Sequence, residues 1–130
     1  MYRFVDHTAE LELQLEAGTK EGVLEEAVAA LGELLGGAGD TARVRREVHA
    51  EAADDAALLA AWLDELVFLA ETEGLVPERA EGVQVTGHAA TGVIEGRLGA
   101  PPHLVKGVTY NDLELRVDGT GWIGRVVLDV

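Results

Sequence analysis

The sequence predicts a single-domain α+β fold, a two-layer sandwich in which a mostly antiparallel mixed sheet is covered by two amphipathic helices. Two apolar stripes at helical spacing predict the helices. Alternation of apolar and polar residues predicts strands before, between and after them. Several predicted strands follow one another near the end of the chain, which favours antiparallel pairing over a doubly wound parallel sheet.

The N-terminal residues predict two strands joined by a polar turn. Residues 2–5 form a short β-type run, and residues 11–16 alternate without a break. Between them, residues 6–10 place two carboxylates, an imidazole and a hydroxyl within one turn. By its phase in the alternation, Glu10 belongs to the wet face of the second strand together with Glu12, Gln14 and Glu16.

Each predicted helix has a capping residue before it and a glycine after it. Thr19 caps the first helix, which ends at Gly36-Gly37, and Asp54-Asp55 caps the second, which ends at Gly74. Residues 43–52 alternate between the helices and predict a strand. The acidic residues off the second apolar stripe are predicted to form a solvated face: Asp64, Glu65, Glu71 and Glu73.

The chain after residue 75 predicts short strands separated by turns. Pro77 is expected to break the backbone, residues 83–86 and 93–98 to form strands, and residues 100–103 a loop. A turn at Asn111-Asp112, a strand over 113–117, a hairpin turn over 118–121 and a closing strand over 122–128 follow. We expect one domain over residues 1–130, with an inserted β-rich subdomain at about 75–103 as an option.

Composition restricts the classes of function. The 130 residues carry a formal net charge of -14 and no cysteine, which excludes disulfide and thiolate chemistry. An acidic surface repels phosphate backbones, so direct nucleic-acid binding is not expected. The sequence shows neither a membrane span nor a secretory leader, and we expect a cytoplasmic protein.

The two ends of the chain hold the candidate metal ligands. If the turn at 6–10 meets the last strand, Glu10, Asp129 and the terminal carboxylate of Val130 bring oxygen ligands together, which is the chemistry of a hard cation. Read from phase alone, Glu10 is a wet-face glutamate without a metal role. Lys106, one of only two lysines, lies in a segment of small and apolar residues and suggests a fixed positive charge.

Five short motifs resemble the archease family in order and spacing, nearly from end to end of the chain. They are Asp6-His7-Thr8-Ala9, Asp64-Glu65-Leu66, Thr72-Glu73-Gly74, residues 105–110 and residues 127–130. The resemblance implies a non-enzymatic activator of the GTP-dependent RNA ligase that joins a 3′-phosphate or 2′,3′-cyclic phosphate to a 5′-hydroxyl in tRNA splicing and RNA repair. The activator helps the ligase guanylate its own histidine and turn over repeatedly.

The resemblance also implies a divalent-metal site and a set of partner-activating residues. The metal ligands fall on Glu10, Asp129 and Val130, with calcium favoured in the isolated protein and magnesium or manganese as alternatives. The activating residues fall on Lys106, Asp6, His7 and Tyr110. The family usually has aspartate at the position of Glu10, and calcium tolerates the longer side chain better than magnesium does.

Two other functions remain open from the sequence. One is a chaperone-like modulator of an RNA-modifying enzyme, a role that the resemblance also suggests. The other is a metal-dependent hydrolase using Asp6, Glu10 and Asp129, which is weaker because no spacing demonstrates a positioned nucleophile or a pocket.

Overall fold

The structure is a computed structural model that describes residues 1–7, 10–36, 42–99 and 105–130. Within these ranges the chain forms seven strands and two helices. In chain order they are β1 (Tyr2–His7), β2 (Glu10–Ala17), α1 (Lys20–Leu35), β3 (Arg43–Glu51), α2 (Asp55–Glu73), β4 (Leu75–Thr86), β5 (Ala89–Leu98), β6 (Gly107–Asp118) and β7 (Gly121–Asp129).

The strands divide between two sheets, and every pair is antiparallel. The first sheet has the order β1-β2-β7-β6, and the second has the order β3-β5-β4. The prediction of an α+β fold with two helices packed on antiparallel strands is confirmed. The strands that were expected in one sheet belong to two, because β3 pairs with β5 and not with β2 or β7.

Both helices begin and end where their capping residues predict. The side-chain oxygen of Thr19 accepts a hydrogen bond from the backbone N–H of Gly22 at 2.9 Å, and that of Asp54 accepts one from Ala57 at 2.8 Å. Gly36 and Gly74 close the two helices with φ of 67° and 70°. These positive values favour glycine because it has no Cβ to clash with the backbone.

The core lies between the sheets and is filled largely by the two helices. α1 packs against β2 and β4, while α2 packs against β3 and β6, so each helix contacts both sheets. Trp62 is fully buried, and its indole N–H donates to the backbone oxygen of Leu24 at 3.1 Å, which joins the two helices. Leu11, Leu13 and Leu15 of β2 are buried, as their alternation predicts.

Two strands are longer than predicted and run through residues expected to interrupt them. β4 contains Pro77, and its register with β5 shifts between Pro77 and Arg79. β4 is an edge strand of its sheet, where a proline is tolerated because a backbone N–H can be spared. β6 contains Asn111 and Asp112, with a register shift between Thr109 and Glu114 in place of the expected turn.

The described part of residues 75–103 contributes Leu75 and Ile94 to the shared core. A separate subdomain in that segment stays a prediction. The loop expected at residues 100–103 lies outside the described residues. Neither of the two described helices is both long enough and apolar enough to cross a bilayer.

Candidate functional site

Strand pairing in the first sheet brings the two ends of the chain together. Glu10, the first residue of β2, lies directly opposite Asp129, the last residue of β7. On the outer side of Glu10 lies His7, and on the outer side of Asp129 lies Gly107. Directly opposed residues of an antiparallel pair share one face of the sheet, with Cβ atoms about 5 Å apart. Glu10 and Asp129 are therefore neighbours on one face of the sheet at this edge.

The charge of these two carboxylates is not balanced within the described residues, where neither forms an ion pair with a basic side chain. Like charges directly opposite each other destabilise an antiparallel pair. A bound cation or a basic group of a partner would remove this repulsion. The edge thus carries two acidic residues with no basic side chain paired to either of them within the described part of the chain.

Lys106 and Val130 flank the carboxylate pair. The backbone N–H of Lys106 donates to the backbone oxygen of Asp129 at 2.7 Å, which fixes the start of β6 beside the end of β7. The side chain of Lys106 is exposed and has no ion-pair partner among the described residues. Val130 follows Asp129 directly and is also exposed. A cationic side chain and two carboxylates thus reach solvent at the same edge.

The remaining predicted residues lie apart from this pair. Asp6 belongs to β1 and not to a turn, and it lies opposite Leu11, so its side chain is on the face of the sheet opposite to that of Glu10. Tyr110 lies in the irregular stretch of β6, with 62% of its surface exposed. Thr8 and Ala9 of the first motif lie outside the described residues. Of the predicted activating residues, His7 lies opposite Glu10 and Lys106 is hydrogen-bonded to Asp129, so these two are adjacent to the acidic pair.

Glu12 is a residue of this region whose burial and side-chain contacts the sequence did not indicate. It was expected on the wet face of β2, but only 3% of its surface is exposed. Its carboxylate accepts hydrogen bonds from Arg125 at 2.8 Å and Gln14 at 2.6 Å, and one oxygen lies 3.1 Å from Nε2 of His7. The alternation of β2 shows which face Glu12 occupies, whereas its burial depends on side chains of β1 and β7 that sequence alone does not place.

These contacts keep Glu12 ionised although it is buried. The hydrogen bond from Arg125, followed by those from Gln14 and His7, lowers the pKa of the Glu12 carboxyl to about 2, against the opposing effect of burial. The same pair raises the pKa of Arg125. Glu12 therefore links β1, β2 and β7 through one permanent negative charge, two residues along the strand from Glu10.

The side chains of Glu10 and Asp129 fit a hard cation only if a further ligand, other than a His, Cys, Asp or Glu side chain, completes the site. Among the residues that the structure describes, no three His, Cys, Asp or Glu side chains converge closely enough to hold a metal ion. Glu10 and Asp129 are two acidic residues opposite each other in the sheet, and Val130, the third predicted ligand, follows Asp129 directly and is exposed. An all-oxygen set of this kind suits Ca²⁺ or Mg²⁺.

The chain is thus a small α+β domain with two acidic residues where its first hairpin meets its last strand. The archease protein family model matches residues 2–130, and the chain belongs to the archease family. Protein archease of Methanosarcina barkeri is 31% identical over 143 residues, covering 99% of this chain and 95% of that protein. Probable protein archease of Mycobacterium tuberculosis is 31% identical over 136 residues, covering 99% of this chain and 74% of that protein.

Solved structures match the fold over its whole length. The solution structure of protein 1598 of Methanobacterium thermoautotrophicum superposes with a TM-score of 0.77 at 28% identity, covering 99% of this chain and 98% of that one. The crystal structure of an archease from Thermotoga maritima, described as a possible chaperone, superposes with a TM-score of 0.72 at 22% identity, covering 100% and 98%. The latter likeness shows the shared fold.

Proposed function

We propose that this archease is a non-enzymatic activator of a GTP-dependent RNA ligase that joins a 3′-phosphate or 2′,3′-cyclic phosphate to a 5′-hydroxyl. It promotes guanylation of the ligase histidine and multiple turnover. The observation that supports this proposal is the uncompensated pair of Glu10 and Asp129 at an exposed edge. Such a pair presents negative charge to a partner.

Each group at the edge has a role in this proposal. Glu10, Asp129 and the terminal carboxylate of Val130 would hold a divalent cation, with calcium favoured and magnesium or manganese as alternatives. A cation at that position would stabilise negative charge on phosphate oxygens at the contact with the ligase. Lys106, free of carboxylate partners in the described residues, would bind a phosphate or carboxylate of the complex.

His7, Asp6 and Tyr110 are proposed to contact the ligase around this edge. His7 is oriented through its bond to Glu12, which is itself fixed by Arg125 and Gln14. Tyr110 supplies an exposed aromatic ring, a residue type that is common at the centre of protein interfaces. Asp6 lies on the other face of the sheet, so it would contact the partner across the rim of β1.

The test is multiple-turnover RNA ligation with a purified ligase and either the wild type or Asp129→Ala. We expect the variant to fold and to lose at least 10-fold of the stimulation, because one carboxylate of the pair is gone. Asp118→Ala is the matched control, since Asp118 is an exposed aspartate at the opposite end of β6. Calorimetric titration with CaCl₂ is the second measurement, and Asp129→Ala should bind calcium more weakly than Asp118→Ala.

Equal stimulation by the wild type and by Asp129→Ala would contradict the role of the carboxylate pair. The alternative is a chaperone-like modulator of an RNA-modifying enzyme, and the Thermotoga maritima archease is described as a possible chaperone. A chaperone-like protein would increase the yield of active ligase during refolding and leave the turnover of an already folded ligase unchanged. Adding the protein before and after refolding of the ligase separates the two functions.

A further inference from the structure

The solvent-facing side of α2 carries an exposed aromatic ring surrounded by carboxylates. Phe68 lies in the helix interior with 53% of its surface exposed. Asp64, Glu65 and Glu71 precede or follow it by four, three and three residues, and all three are exposed. Residues at these spacings are neighbours on one helix face. We call this set, Asp64, Glu65, Phe68 and Glu71, the acidic α2 face.

All charged side chains of α2 are negative. α2 contains five acidic residues and no lysine, arginine or histidine, and its last turn has no basic residue. Carboxylates in the last turn of a helix, such as those of Glu71 and Glu73, oppose the helix dipole. Glu73 is paired with Arg46 at 2.9 Å, whereas the three carboxylates around Phe68 have no basic partner among the described residues.

The surroundings of Asp64 on this face disfavour its charged form. Partial desolvation, followed by repulsion from Glu65, raises the pKa of the Asp64 carboxyl. A sequence that departs from the locally stable choice at several neighbouring positions commonly does so for a function. One exposed apolar residue is ordinary on a protein surface, but here the ring and three carboxylates without a basic partner in the described residues lie on the same helix face.

The negative charge of the acidic α2 face restricts which kinds of partner can bind there. Phosphate backbones and anionic lipid headgroups are repelled by this face. In a symmetric dimer formed through this face, the carboxylates of the two copies would repel each other. A basic protein surface with an apolar pocket for the phenyl ring is complementary in both charge and shape.

We propose that the acidic α2 face is a docking surface for a basic, partly apolar surface of a partner protein, and that it binds the same partner as the Glu10–Asp129 edge. This inference rests on the proposed function, because an RNA ligase must carry basic surface around its RNA-binding cleft. Phe68 is the anchor that is buried on binding, and the carboxylates pair with arginine or lysine around it.

The acidic α2 face and the Glu10–Asp129 edge belong to elements that are neighbours in the fold. α2 packs against β6, and β6 begins at Gly107, directly opposite Asp129. A standard protein interface covers roughly 800 Å² per partner, about 30 Å across. The proposal therefore assigns one partner protein to both surfaces.

The experiment measures the dissociation constant of the purified ligase for fluorescently labelled archease variants. Phe68→Ala is expected to weaken binding at least 10-fold, and the double variant Asp64→Asn, Glu65→Gln to weaken it several-fold at low salt and less at high salt. The matched controls are Val117→Ala, an equally exposed apolar residue on β6, and the pair Glu47→Gln, Glu51→Gln, exposed carboxylates of β3. Circular dichroism and sedimentation of each variant verify folding and oligomeric state.

The outcomes separate this inference from the proposed function. Weaker binding by the Phe68 and Asp64/Glu65 variants, with both controls at wild-type affinity, supports the docking surface. Binding of all variants at wild-type affinity overturns it while leaving the ligase as partner. A wild type that neither binds nor stimulates the ligase overturns both proposals. A wild-type dimer that Phe68→Ala converts to monomer shows that a second copy occupies the face and overturns the inference.

Discussion

At the scale of single residues, Glu12 shows how a buried charge is stabilised at the edge of the candidate site. Its carboxylate is almost fully buried, and three side chains from β1, β2 and β7 contact it. Removal of one member of a buried pair is costly, because the remaining charge loses its partner but stays desolvated. Arg125, whose side chain is 35% exposed, would regain part of its hydration, so the cost falls below that of a fully buried pair.

The pKa of Glu12 predicts an acid-sensitive contribution to stability. A carboxyl with a folded-state pKa of about 2 against an ordinary value of 4.5 stabilises the native state by on the order of 3 kcal/mol above pH 4.5. That contribution is lost as the pH falls from 4.5 towards 2, because the unfolded chain takes up the proton first. Glu12→Gln removes the titration and should lower the free energy of unfolding at pH 7 by about 2–3 kcal/mol.

Urea denaturation of the wild type and Glu12→Gln between pH 7 and pH 2.5 measures this contribution. The difference in unfolding free energy should be constant above pH 5 and should shrink at lower pH. Glu16→Gln is the control on the same strand and the same face, where the side chain is exposed, and its difference from the wild type should stay near zero. Parallel pH curves for the wild type and Glu12→Gln would contradict the low pKa.

The contrast between Glu10 and Glu12 shows how far residue-level prediction extends. The alternation of β2 correctly places both on the face opposite Leu11 and Leu13. Burial on that face depends on neighbours contributed by β7, more than a hundred residues away in sequence. No local pattern distinguishes a glutamate that meets Arg125 from one that meets Asp129.

At the scale of secondary-structure elements, local chemistry predicted the helices better than the C-terminal strands. Thr19, Asp54, Gly36 and Gly74 are signals whose partners lie within four residues, so their effect is independent of the rest of the fold. Pro77 is a local signal that the tertiary structure overrides, since β4 is an edge strand and a register shift absorbs the proline.

The partition of strands into two sheets and the pairing of β2 with β7 are non-local features. The hypothesis that the chain ends meet came from the oxygen chemistry of residues at both ends and not from strand periodicity. Periodicity indicates that a segment is a strand, but it does not specify the partner strand. The structure places Glu10 opposite Asp129, whereas metal binding and ligase activation at that edge stay proposals.

Gly32 allows α1 to approach the second sheet closely, and this contact predicts the effect of a substitution. A Cβ at Gly32 would lie 2.0 Å from the backbone oxygen of Pro77 and 3.2 Å from its carbonyl carbon. Glycine to alanine in a helix interior normally stabilises by up to about 1 kcal/mol. Here the overlap with backbone forces α1 away from β4, so Gly32→Ala should destabilise the protein by about 3 kcal/mol.

Thermal and urea denaturation of Gly32→Ala measure that effect. Gly18→Ala is the matched control, because a Cβ there has no atom within 4 Å and the backbone is not in the left-handed region. It should leave the melting temperature within a degree or two of the wild type. Unchanged or increased stability of Gly32→Ala would mean that α1 and β4 do not approach each other as closely as described.

At the scale of the whole molecule, the net charge of -14 opposes the compact state and steers association. Half of the ten lysines and arginines lie on the second sheet. There Arg45 and Arg79 share Glu95, and Arg43 pairs with Glu78 at 3.0 Å. Exposed pairs of this kind contribute between zero and about 1 kcal/mol each. The acidic edge and the acidic α2 face lack such compensation within the described residues.

Repulsion among acidic side chains and attraction within surface ion pairs together predict how salt affects stability. Screening by salt weakens the exposed ion pairs, but it also weakens the mutual repulsion of 24 acidic residues facing only 10 basic ones. Because the excess of like charge is larger than the modest gain from surface pairs, repulsion should dominate near pH 7. Raising NaCl from about 20 mM to 300 mM should therefore raise the melting temperature by about 3–5 °C, corresponding to about 1 kcal/mol.

Repeating the melting experiment at pH 4.5 provides an internal control, because the sequence isoelectric point is near that value and the net repulsion disappears. The salt effect should vanish or change sign there, since only the ion pairs remain to be screened. A melting temperature that falls with salt at pH 7 would mean that the ion pairs of the second sheet outweigh the repulsion. The repulsion among the acidic side chains would then be smaller than the stabilisation that the ion pairs provide.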